Sequence, residues 1–392
     1  MIARNLTELV LAKAADYPVV TVTGPRQSGK TTLCRAAFPD KPYVSLEALH
    51  VRRAAQEDPQ AFLRRYRDGA IFDEVQHVPD LVSYLQLEVD EDRRHGRFIL
   101  TGSQHLDLSR TVSQSLAGRT GVLHLLPLSY DEVLRFPAPP TDVWATIVQG
   151  GYPRIYDEGI AAGTWLEDYV RTYLERDVRE LLNVGNLHAF QTFMRLCAGR
   201  SGQELNLSDL GADAGISFPT AKAWLSVLEA SFIVFRLASW HRNDRKRWVK
   251  APKLHFLDSG LLCYLLGIQS AGQLETHPLR GAIFESWVAA EVYKWRTQRG
   301  RHPYLYHLRA VRGEEVDLVV DASPRLILAE AKSGSAVVPQ ALRGLESLVA
   351  SHGTDPQHQH LLPRLIYGGS ETYRWNAVDV LAWRDIHRFD WD

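Results

Sequence analysis

The sequence predicts an α/β chain. A three-layer parallel sheet of P-loop NTPase type comes first, then a helical region with a winged helix, then a further α/β region. Three observations carry this reading. The pattern Gly24-x-x-x-x-Gly29-Lys30-Thr31 stands directly behind the β-branched run VVTVT at 19–23. Short apolar runs, AIFDE at 70–74 and FILTGS at 98–103, alternate with helical stretches and end on polar residues. Downstream, two helix-length segments in 207–230 precede a β-branched run at 233–235.

Residues 19–23 are bounded by turn formers and read as a buried strand, and 31–38 as the first turns of a helix. Glycines 24 and 29 let backbone N–H groups converge on one concavity, with Gln27 and Ser28 between them. The helix that follows offers unpaired N–H groups at Thr31 and Thr32 and the positive end of its dipole. Lys30 suits terminal phosphates, and the Thr31 hydroxyl suits Mg²⁺. The expected ligands are therefore nucleotide phosphates with Mg²⁺.

The acidic pair Asp73-Glu74 closes the next apolar strand. Asp73 is the candidate Mg²⁺ partner of Thr31, and Glu74 the candidate base for the attacking water. Ser103 ends the strand at 98–103 and is the candidate phosphate sensor, with Thr101 and Gln104 as rivals. Arg119 is a candidate for stabilising transition-state charge, in cis or across a subunit interface, and Arg26 a weaker one.

The 392 residues suffice for two or three domains. Residues 1–138 form the expected ATPase domain. FPAPPTD at 136–142 marks its end, and the helical and winged-helix part spans 139–274. The last region spans 275–392. Hydrophobic residues make up 45%, and the formal net charge of -1 leaves no global basic field, so any nucleic-acid surface must be local. Three scattered cysteines suit neither a zinc site nor a disulfide framework. No run approaches a membrane span, and no signal peptide is visible, so the expectation is a cytoplasmic protein without a membrane partner.

The second helix of the helix-turn-helix, FPTAKAWLSVLEA, exposes only Lys222 as a cation. The hairpin tip HRNDRKRWVKAPK at 241–253 is more basic, with Arg242, Arg245, Lys246, Arg247, Lys250 and Lys253 against Asp244. Trp240 and Trp248 flank it and can stack on bases. Contact with nucleic acid, DNA in the first instance, stands beside a packing or oligomerisation role for this module.

In the last region Glu285 lies on a long helix, and the strands at 316–321 and 326–331 form a hairpin. Asp317 sits on the first strand. Glu330 and Lys332, two apart, share one face of the second. Asp317 and Glu330 can bind Mg²⁺, with Lys332 and Glu285 in support. The histidines of QHQH, 358 and 360, read as solvent-exposed.

In order along the chain, GPRQSGKTT, FDEVQ, LTGSQ, SLAGR, LPLSYDE, GGYP, APKLHFLDSGLL, GAIFESWV, GEEVDLVV and LAEAKSG resemble the signposts of one bacterial family. Its members are AAA-type P-loop ATPases with a C-terminal domain of unknown function, number 4143. The resemblance implies ATP binding at Lys30 and Thr31, Walker-B roles for Asp73 and Glu74, and a sensor near Ser103. It also implies a C-terminal domain similar to the PD-(D/E)xK, restriction-endonuclease-like fold, in which Glu285, Asp317, Glu330 and Lys332 match the motif. Two functions follow as expectations. One is an ATPase coupled to nucleic acid, with a metal-dependent nuclease. The other is an ATP-set regulatory or scaffolding switch, binding a protein or operator DNA, with a silent C-terminal domain. A homo-oligomer is compatible with both.

Overall fold

The computed structural model describes residues 2–103, 115–174, 187–240, 251–309, 315–352 and 360–392. The chain divides into two compact units. One comprises residues 1–127 with 227–232 and 298–300, the other the remainder. No helix among the described residues is long and apolar enough to cross a membrane.

The first unit is built on a five-stranded parallel sheet, with strands β1 (Val19–Gly24), β2 (Tyr43–Ser45), β3 (Ala70–Asp73), β4 (Phe98–Ser103) and β5 (Thr120–His124). Their spatial order is β2-β3-β4-β1-β5. Successive side chains leave a strand on opposite faces, and both faces here are apolar. Val19, Phe72, Phe98 and Leu100 pack under the helices Leu49–Glu57, Pro59–Arg64 and Asp80–Glu91. Val20, Val22, Ile71 and Ile99 pack against the helices Thr7–Asp16 and Lys30–Ala37. This is the three-layer α/β arrangement that the alternation of short apolar runs and helices predicts. β1 buries two threonines as well: the Thr21 and Thr120 hydroxyls are hydrogen-bonded at 2.9 Å, and Thr23 Oγ1 lies 2.8 Å from His124 Nδ1.

The second unit carries an eight-stranded mixed sheet in the order β12-β13-β11-β10-β9-β8-β6-β7. Its strands are β6 (Val234–Ser239), β7 (Lys253–Phe256), β8 (Leu305–Arg309), β9 (Glu315–Ala322), β10 (Arg325–Lys332), β11 (His360–Tyr367), β12 (Tyr373–Trp375) and β13 (Val378–Ala382). The two strands expected to form a wing are an antiparallel pair, β6 and β7, but they do not stand apart. β6 also pairs in parallel with β8, through Ala238–Tyr306 and Ser239–His307. Trp240, expected to flank an exposed tip, is 4% exposed and packs in the core of this sheet with Leu308, Val316 and Leu365. An indole buried there cannot stack on a base. Arg242, Arg245, Lys246, Arg247, Trp248 and Lys250 lie outside the described residues, as do Gln104 and His358.

One unanticipated cation positions the loop between β1 and the helix Lys30–Ala37. Arg4 donates from Nη1 to Ser28 O at 2.7 Å and from Nη2 to Leu126 O at 2.9 Å. Its planar fork ties the loop to the segment that follows β5. Charge-assisted bonds of this kind at a half-buried site contribute about 1–2 kcal/mol. Arg4→Ala is therefore expected to speed amide exchange at Ser28 and Gly29 about 5–30-fold, measured by hydrogen exchange with global stability monitored in parallel. Unchanged protection at both amides would contradict this bracing role.

Candidate functional site

The strands of the first sheet are parallel, so their carboxyl ends lie at one edge, where ligands of open α/β sheets collect. β1 ends at Gly24, whose φ of +151° belongs to glycine and whose added Cβ would meet Leu125 O at 2.1 Å. Ser103 ends β4 directly beside it in register. Gln27 takes a left-handed φ of 62° and Gly29 one of 93°, and Gly29 caps the helix Lys30–Ala37 without a side-chain bond. The first-turn N–H groups are thus left without a capping side chain, on a helix whose dipole favours an anion there.

Lys30 is the most constrained charge of this site. Its side chain is 6% exposed, and Nζ donates to Gly24 O at 3.1 Å and Pro25 O at 2.9 Å. Burial lowers its pKa, while Glu74 and Asp73 act in the opposite sense. Ser28 Oγ is buried with no hydrogen-bond partner. A buried ammonium held by neutral carbonyls beside an orphaned hydroxyl suits an incoming anion.

Asp73, at the end of β3, gathers three hydroxyls. Thr31 Oγ1 donates to its two oxygens at 2.9 and 3.1 Å, Tyr43 Oη donates at 2.7 Å, and Thr101 Oγ1 donates to Oδ1. Burial and the Asp73 carboxylate push the Tyr43 phenol up to about 12, so it stays a donor. Thr31 and Asp73 together supply a hydroxyl and a carboxylate at hydrogen-bond separation, a donor pair that fits Mg²⁺ shared with phosphate oxygens. Thr101, a rival of Ser103 in the sequence, thus holds the acid, and Tyr43 is a partner that the sequence reading missed.

Glu74 follows in a left-handed conformation, φ 57°, and Gln76 Nε2 donates to its Oε2. Burial would raise its pKa; Lys30 and the Gln76 bond outweigh this and hold the carboxyl below its ordinary range. Arg26 lies close enough to perturb both Lys30 and Glu74. Thr32 is exposed on the first turn of the helix.

Arg119 does not join this group. Its backbone carbonyl accepts from Val19 N at 3.2 Å, at the start of β1, whereas the loop begins at the strand's other end, Gly24. At about 3.3 Å per residue the two ends are roughly 16 Å apart. Its guanidinium forks onto Asp90, with bonds of 2.7 and 2.8 Å. A transition-state role in cis is incompatible with this placement.

The second unit brings its own polar cluster together. Glu285 comes from the helix Arg280–Gln298, Glu315 and Asp317 from β9, and Glu330 and Lys332 from β10. β9 and β10 are antiparallel with Leu318 opposite Ala329, which sets Asp317 and Glu330 opposite each other on one face. Asp317 Oδ2 accepts from Ala331 N at 2.9 Å, and Lys332 Nζ donates to Glu330 Oε1 at 2.5 Å. Burial and Asp317 push Glu285 up to about 8 and Glu330 up to about 7, with lysines acting against both shifts.

The sequence reading missed the centre of this cluster. Lys253, placed there among the basic residues of the hairpin tip, turns inward. Its Nζ lies 3.0 Å from Glu285 Oε1, 3.1 Å from Glu315 Oε1 and 3.8 Å from Asp317 Oδ1. Of the two carboxylates expected to receive Mg²⁺, Asp317 faces this ammonium and Glu330 faces that of Lys332. Among the described residues no group of three or more His, Cys, Asp or Glu side chains is arranged to hold a metal ion. The cluster as built does not fit a divalent cation.

Residues 16–134 match the family described as AAA domain, residues 140–272 a domain of unknown function (DUF8612), and residues 280–386 a domain of unknown function (DUF4143). An uncharacterized protein of Mycobacterium tuberculosis is 32% identical over 303 residues, covering 74% of this chain and 67% of the relative. An uncharacterized protein of Mycobacterium bovis matches to the same extent. Among solved structures, the Walker-type ATPase of Pyrococcus abyssi aligns at 15% identity with a TM-score of 0.48, over 68% of this chain and 96% of that one. The chain belongs to the family of AAA-domain P-loop proteins that carry the C-terminal domain of unknown function DUF4143.

Proposed function

We propose that the protein is a Mg²⁺-dependent ATPase that acts on nucleic acid. The observation that carries the first half is Lys30. A nearly buried ammonium rests on two loop carbonyls at a helix start that no side chain caps. Phosphate oxygens replace those carbonyls as partners and accept from backbone N–H groups of the loop and of the first helical turn. When bound, Mg²⁺ neutralises charge on the phosphates. Thr31 and Asp73 are the residues that would hold it.

Glu74 is the general base. Its ionised state is favoured by Lys30 and by Gln76, so it is unprotonated near neutral pH, as a base must be, and a water polarised at the phosphates is its proton source. Ser103, beside Gly24, is within the same edge of the sheet and is assigned the sensing role. Arg26 replaces Arg119 as the cation that faces developing charge in cis, because it shares the neighbourhood of Lys30 and Glu74.

The nucleic-acid half rests on composition. Five cations, Arg242, Arg245, Lys246, Arg247 and Lys250, stand in one ten-residue stretch with a single acid. DNA is the proposed partner. Metal-dependent cleavage forms no part of the proposal, since Lys253 faces Glu285 and Asp317, and Lys332 engages Glu330.

Two experiments test these halves separately. Lys30→Ala is expected to abolish high-affinity nucleotide binding. Glu74→Gln is expected to retain it while turnover falls about 10²–10⁴-fold. Titration with a fluorescent ATP analogue and phosphate release read the two quantities; wild-type turnover in Glu74→Gln would overturn the base assignment. Reversing the charges of Arg245, Lys246 and Arg247 is expected to weaken DNA binding and reduce the slope of log K against log salt. The reduction is about 0.9 for each phosphate that is no longer neutralised. A slope equal to wild type would assign this stretch to protein binding instead.

A further inference from the structure

The cluster in the second unit has the residues of a metal site and a cation already inside it. Lys253 is the first residue of β7. Its backbone is paired with Leu237 of β6 and bridged to Glu204, so its Cα is fixed from two sides. The side chain is 6% exposed, and its ammonium meets one carboxylate from the helix Arg280–Gln298 and two from β9. Its ammonium donates to Glu285 at 3.0 Å and stands 3.1 Å from Glu315, and Asp317 adds an ion-pair contact at 3.8 Å.

A divalent ion would need these same oxygens. Mg²⁺ takes oxygen ligands at about 2.0–2.1 Å in near-octahedral geometry. Glu285 and Asp317 cannot close to that distance around an ion while Lys253 stands between them. The second oxygen of Asp317 is engaged by Ala331 N and one oxygen of Glu330 by Lys332; the other Glu330 oxygen is buried without a partner, and one free oxygen is too few for a near-octahedral ion. Retraction of Lys253 would leave a buried cation without its partners, and its backbone pairing gives it little room to move.

We propose that Lys253 is the resident cation of this cluster and closes it to divalent metals. The acids gather as they would around a cation, and that cation is built into the chain. The lysine joins β7 to the long helix and to β9 through three acids at once. In this respect the inference is independent of the ATPase reading, since it concerns residues of the second unit alone.

The test is Mn²⁺ binding to the full-length protein without nucleotide, followed by calorimetry and by electron paramagnetic resonance. Wild type and Asp317→Asn are expected to give the same titration, because Asp317 holds no metal. Lys253→Met is expected to gain one Mn²⁺ site at least tenfold tighter than any in wild type. Adding Asp317→Asn to Lys253→Met is expected to remove it. Disappearance of a wild-type Mn²⁺ site on Asp317→Asn would overturn the proposal. So would a folded Lys253→Met protein that gains no site. If circular dichroism shows that Lys253→Met does not fold, the comparison of wild type with Asp317→Asn decides alone.

Discussion

Lys30 holds its ammonium almost out of water against two backbone carbonyls, and the design of the first unit follows from that arrangement. A charge in such a place costs free energy unless something nearby compensates for it. The carbonyls of Gly24 and Pro25 compensate in part, which requires the chain to fold tightly back on itself. That fold needs a residue without a Cβ at Gly24, where Leu125 O stands in the way of any side chain. It is braced from outside by Arg4. The acids Asp73 and Glu74 add part of the compensation at longer range. Sheet order, loop geometry and electrostatics therefore converge on one position that an anion of high charge density would stabilise.

A second buried lysine shows the opposite solution. Lys253 is as deeply placed as Lys30, yet it meets three carboxylates, not carbonyls. Burial lowers the pKa of both, but the acids around Lys253 more than reverse the effect, while those near Lys30 do not. One lysine lacks a directly bonded anion and can receive one. The other has its anions already and receives nothing. The same residue type in the same degree of burial marks a binding site in one place and a closed structure in the other.

What can be read from the sequence divides along this line. The loop, the strand before it and the acid pair Asp73-Glu74 are local patterns, because each chemical requirement is met within a few residues. The hairpin of β9 and β10 is also visible, since two apolar runs around a short turn pair locally. Lys253 and Trp240 are misplaced by sequence reasoning because their surroundings come from elsewhere. β8 and β9, far downstream in sequence, place Trp240 in a sheet core and bring carboxylates to Lys253. Arg4 and Tyr43 escape notice for the same reason: a lone arginine or tyrosine carries no periodic signal. Arg119 looks available only because its partner, Asp90, lies on another element.

The most direct test is a crystal structure grown with a non-hydrolysable ATP analogue and Mn²⁺, with the metal located by anomalous scattering. The account predicts that Lys30 Nζ leaves Gly24 O and Pro25 O for terminal phosphate oxygens, and that the Mn²⁺ peak lies beside Thr31 and Asp73. Nucleotide bound elsewhere, or Lys30 still on the loop carbonyls with phosphate present, would contradict it.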